Sequence, residues 1–139
     1  MTMLQATLQL MSETITAAQT ASTKTAVTGL ARAKSAALYC NFDYGSGGTT
    51  AKVWVQTSFD GGTTWVDIAN FAHTTSDLKR AYNLSALTPI TTVYTATDGT
   101  LADDTCKDGL IGDHLRVKFT STGTYGGSTT CAVYAVLKD

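Results

Sequence analysis

Proline is almost missing from this 139-residue chain, occurring once, at Pro89. Charge is scarce as well, at 15% of residues, and its ten basic and eleven acidic side chains nearly cancel. Basic residues adjoin only at Lys79-Arg80. That leaves no clustered basic face for nucleic acid, which needs many phosphate contacts, and no polybasic segment for a membrane surface. No stretch approaches the roughly 20 apolar residues of a membrane span. Residues 1–11 carry neither a basic leader nor a continuous apolar run, so no signal peptide is expected there. Cysteine occurs three times, at Cys40, Cys106 and Cys131, an odd and widely spaced set without CxxC spacing, which is no disulfide framework. Cys40 and Cys131 lie in apolar runs and read as small buried hydrophobes of a protein made in a reducing compartment. A single disulfide with one thiol left over is the alternative.

What is plentiful points to strands. Threonine, β-branched and suited to a pleated half-exposed surface, occurs 27 times, and twelve glycines separate short apolar runs. The expected fold is all-β: one antiparallel β-sandwich or jelly-roll-like domain of about eight to ten short strands. Residues 1–12 read as an N-terminal arm reaching onto a neighbour, or as a first strand, with a short helix over 3–11 also open. Residues 13–139 read as the sandwich. Strands are expected around 14–18 and 24–28, then over 35–42, 52–57, 64–71, 78–84, 90–97, 114–120 and 130–137. In 35–42, Leu38, Cys40 and Phe42 share one face. In 114–120, Leu115, Val117 and Phe119 point inward. The run 52–57 is apolar on both faces, which places it centrally or under an interface. The turn at 123–127 is expected to close a second hairpin over 114–137, and the acidic stretch 98–112 to be a solvated loop.

The strongest local signal lies at 53–70, where Ser58-Phe59-Asp60-Gly61-Gly62-Thr63-Thr64-Trp65 joins two strand-like runs. Asp-Gly-Gly supplies the positive φ of a tight hairpin. The segment resembles the Asp box, S-x-D-x-G-x-T-W, found in sialidases and other Asp-box proteins. The resemblance implies a structural turn, remote from any active site, in which Ser58, Asp60, Gly62, Thr64 and Trp65 shape the corner and Trp65 packs beneath it.

Other groups are weaker candidates. Asp98, Asp103, Asp104, Asp108 and Asp113 offer oxygens for a cation, but EF-hand spacing is absent. Asp113-His114 is one part of a triad without a nucleophile elbow. No complete catalytic site is legible, so the chain reads as a non-enzyme without cofactor or metal. Trp54, Tyr39, Tyr44, Tyr82, Tyr94, Tyr125 and Tyr134 are either core and interface residues or a sugar-stacking platform.

The run 51–71 followed by Thr-rich strands is similar to the small β-sandwich proteins of tailed-phage and gene-transfer-agent particles, which serve as head decoration proteins, connectors or spike components. The resemblance implies a bacteriophage virion structural protein, assembled in the host cytoplasm, most simply a capsid decoration protein. Its partners would be copies of itself, with a homo-oligomer such as a trimer natural, and capsid, neck or tail proteins of the same particle. The alternative reading is a carbohydrate-binding or adhesin-like recognition module, using exposed aromatics and the loops 43–50 and 98–112.

Overall fold

Period-two burial builds the strands of this protein, which a computed structural model describes over residues 6–139. Along the chain they are β1 (Ala6–Thr14), β2 (Gln19–Thr23), β3 (Ser35–Asp43), β4 (Ser46–Gly47), β5 (Thr50–Ser58), β6 (Val66–His73), β7 (Leu78–Ser85), β8 (His114–Thr122), β9 (Tyr125–Gly126) and β10 (Thr130–Lys138). The chain is all-β, as the sequence implies. In β8 and β10 every second residue is buried: Leu115, Val117 and Phe119 in one, Cys131, Val133, Ala135 and Leu137 in the other. β3 adds Leu38, Cys40 and Phe42. These apolar faces meet in one core between two sheets.

The first sheet has the order β1-β10-β3-β7 and the second β2-β8-β5-β6, all neighbours antiparallel. The chain changes sheet at every long connection except β5–β6. That order is a jelly roll. Of residues 1–12, positions 1–5 lie outside the described residues, and those from Ala6 onward belong to β1, which pairs with β10 of the same chain.

Three sequence readings are corrected. Residues 114–137 are not a hairpin, because β8 and β10 belong to opposite sheets. Tyr125, 1% exposed, is drawn into the core between them, where its ring meets Phe42 and Tyr44 edge-on and its hydroxyl donates to Thr74 O at 2.7 Å. Residues 90–97 form no strand. Val93, 91% exposed, falls out of step with Ile90, Tyr94 and Ala96, so the alternation of a strand fails there. Near the N-terminus the strands are β1, running to Thr14, and β2 at Gln19–Thr23, while 24–28 keeps only a bridge from Val27 to Leu115.

Where the chain crosses between sheets, β4 and β9 pair with each other, tying the β3–β5 corner to the β8–β10 corner. Backbone passes close to backbone there. A Cβ on Gly45 would sit against the Gly127 carbonyl, and one on Gly48 (φ +71°) would lie 2.3 Å from the Tyr125 ring. Both overlap and backbone conformation therefore demand glycine at position 48. Gly48→Ala should cost about 2–4 kcal/mol of unfolding free energy, through overpacking and left-handed strain together. Urea denaturation would show this as a lowered midpoint at unchanged slope.

Candidate functional site

The Asp-box turn is built as its residue types require. The Ser58 hydroxyl donates to Asp60 Oδ1 at 2.8 Å and accepts the Gly62 amide at 2.8 Å. Asp60 Oδ1 takes the Thr63 and Thr64 amides at 3.1 and 2.8 Å, and Oδ2 takes the Thr64 hydroxyl at 2.6 Å. Thr64, then Ser58, hold the Asp60 carboxyl down at about 2. Trp65 donates through Nε1 to Gly62 O at 3.2 Å, while the Arg116 guanidinium lies 4.1 Å from its ring centre. All five motif residues thus converge on one corner, and their own named polar atoms are spent within it.

A second polar cluster was not foreseen. Asp67 of β6 has no exposed surface. Its carboxylate accepts from the Gln56 amide, the Thr97 hydroxyl and the backbone amides of Gly99, Thr100 and Leu101, at 2.8 to 3.1 Å. Gln56 also reaches Asp98 Oδ1 and accepts from Arg116 Nε. The chain between β7 and β8 is thereby folded down on the outer face of the second sheet. It also satisfies the free edge of β6: Asp67 N donates to Thr97 O, Asn70 N to Thr105 O, and Lys107 N to Ile68 O. Trp54, only 7% exposed, lies beneath it and donates to Leu101 O at 3.0 Å. This explains why 52–57 is apolar on both faces: the cover is the chain's own excursion.

The acidic stretch is an exposed loop, as the sequence implies, and its acids are tied to partners on the sheets. Asp98 pairs with Lys118 at 2.7 Å, Asp103 with Lys52 at 3.0 Å, and Asp104 with Arg80 at 2.8 Å, while Asp108 takes the Ser85 amide and the Thr88 hydroxyl. The acids diverge to separate partners. Among the described residues no three Asp, Glu, His or Cys side chains are grouped to hold a metal ion.

His114 stands 3.0 Å from Asp113 through Nδ1, and its ring meets Trp65 edge-on, so it packs on the Asp-box corner. His73 is in the core, stacked on Phe42, with Nε2 3.3 Å from the Cys40 sulfur. Hydrogen bonding to Cys131, and against burial also to His73, draws the Cys40 thiol below its usual range. The same contact, with burial, pushes Cys131 up. Both thiols are free and neither has exposed surface, so a thiolate formed there meets no substrate.

Large apolar side chains reach solvent at the Asp-box tip and along the chain after β7. Phe59 at the Asp-box tip is 55% exposed, Ile90 44%, Leu87 70% and Val93 91%. Phe59, Val66, Ile90, Val93, Tyr94 and Leu110 line a groove of about 470 Å³. The sequence reading missed this groove by assigning 90–97 to a strand. The three-residue step from Ile90 to Val93 was the available signal.

Two outcomes test the assigned roles. Asp67→Asn sets an amide nitrogen among donors, and should cost about 3 kcal/mol. Hydrogen exchange over 97–107 should then rise ahead of the rest of the chain. For Asp60, the folded carboxyl titrates below the ordinary value of 3.8. Its contribution to stability is therefore present above pH 4 and lost as pH falls towards 2. Acid titration of stability should lose part of its slope in that window in Asp60→Asn. Comparison with protein-family models, curated proteins and solved structures finds no match for this chain.

Proposed function

We propose that this chain is a non-enzymatic structural protein of a tailed-phage virion, a head decoration or accessory protein that works by associating with its own copies and with a capsid, neck or tail protein. The observation that carries the reading is the apolar end of the sandwich. Phe59, Ile90 and Val93 stand exposed around one groove, which lies between the Asp-box corner and the Asp67-anchored excursion. A contiguous apolar patch on a rigid frame is the feature of a surface built to be covered by another protein. The jelly roll adds fold-level support, since capsid proteins and lectins both use it, and that support is analogy.

Carbohydrate recognition keeps one observation in its favour. Trp54 is buried and offers no platform, but Tyr39 and Tyr134 stack on the outer face of the first sheet with ring centres 6.4 Å apart.

Density-gradient fractionation of lysate from the source cells, probed with antiserum to the chain, tests the proposal. Recovery in a dense particle fraction, lost in Val93→Asp, is the expected result. Recovery only as soluble protein that binds a polysaccharide column would sink the virion reading and favour the alternative.

A further inference from the structure

The two outer faces of the sandwich are unlike. That of the second sheet is covered by the excursion between β7 and β8, as the Asp67 and Trp54 contacts show. Among the described residues, nothing covers that of the first sheet. Its middle rows follow from the register: Gln9, Tyr134, Tyr39 and Ala81 lie across the four strands in one row, and Thr7, Val136, Ala37 and Asn83 in the next. None is charged, and Tyr39 and Val136 are 37% and 36% exposed.

Charge appears towards the ends of this face. Asp43 closes β3, four residues beyond Tyr39, and Lys138 closes β10, four residues from Tyr134 in the opposite direction along the sheet. Both are exposed, and among the described residues neither makes an ion pair. Lys79 lies on the outer strand β7, in the row of Asn41, and Asp77, just before β7, is held by the Tyr44 amide at 2.6 Å.

We infer that a second copy of this chain packs face to face on this sheet, with its strands antiparallel to the first copy's and the two-fold axis running across the strands at the Tyr39–Tyr134 row. That rotation reverses the strand direction while laying each strand over its own counterpart. The partner's Asp43 then falls beside Lys138, and Asp43 beside the partner's Lys138, so the pairing occurs twice. Lys79 falls opposite the partner's Asn83. Turning the axis parallel to the strands would instead bring Asp43 beside Asp43 and Lys138 beside Lys138. The charge placement therefore selects one of the two arrangements, and an isologous contact needs such self-complementarity.

Size sets the strength. Four strands about 4.8 Å apart and nine residues at about 3.4 Å rise give roughly 500 Å² of face per copy. Two copies bury about 1,000 Å² together, the lower bound of a specific interface. The dimer is accordingly a weak one, formed in the micromolar range. This inference deepens the proposed function by naming its self-contact, and it uses a surface distinct from the Val93 end.

Sedimentation equilibrium of the purified chain over about 1 to 100 μM tests it. A monomer–dimer equilibrium is expected. Tyr39→Lys should leave a monomer whose urea transition matches that of the wild type. Asp43→Lys and Lys138→Asp, singly, should each raise the dissociation constant about tenfold or more. The double exchange Asp43→Lys/Lys138→Asp should return it towards the wild-type value. A wild-type monomer across the range, a trimer, or a double exchange no tighter than either single change would overturn the inference. A monomer held on a polysaccharide column through Tyr39 would overturn it too, and give the face to a glycan. Loss of the dimer with particle association retained would count against this contact alone. A dimer lacking particle association would leave the contact standing and remove the virion reading.

Discussion

A carboxylate with no exposed surface must be saturated with donors or it costs several kcal/mol. Asp67 meets that demand from five groups, four of which lie about thirty positions downstream. Much of the molecule's asymmetry follows from this requirement. To supply Thr97, Gly99, Thr100 and Leu101, the chain after β7 must lie flat on the second sheet. Lying there, it buries Trp54, closes the edge of β6, and makes β5 a strand enclosed on both faces. Part of its remaining length is left at the end of the sandwich, where Ile90 and Val93 line a groove with Phe59. Among the described residues the first sheet has no comparable anchor, and none of them covers its outer face.

Legibility in the sequence tracked distance along the chain. The β5–β6 hairpin is the one long connection that stays within a sheet, and its turn chemistry is local: Ser58, Asp60 and Thr64 bond within seven residues of one another. The alternation of β3, β8 and β10 was equally readable, because burial on one face leaves a period of two in any strand. The crossovers left no such mark. Residues 123–127 carry hairpin chemistry, and the buried ring of Tyr125 among those glycines is what turns the chain to the other sheet.

Asp67 illustrates the same limit for the site. In the run Val66-Asp67-Ile68 it looks like an ordinary solvent-facing strand residue, since its ligands are distant in sequence. The acids of 98–113 read as one cluster on paper because they are neighbours in the chain. Folded, they point to Lys118, Lys52, Arg80, Ser85 and His114, which lie on three strands. Sequence proximity overstated their cooperation, and sequence distance concealed that of Gln56, Asp67 and Arg116.

The β4–β9 ribbon bears on how fast such a chain acquires and loses its shape. Ser46 and Gly126, partners in it, are separated by roughly eighty residues, a closure that two-residue strands cannot repay until the pairing of Asp43 with Thr130 has brought them together. A corner of that kind is expected to consolidate after β3 and β10 have found their register. Interactions formed late resist unfolding without hastening folding. The glycines and Tyr125 at this corner therefore act as a latch on the finished structure, setting how long a folded copy lasts more than how readily it forms.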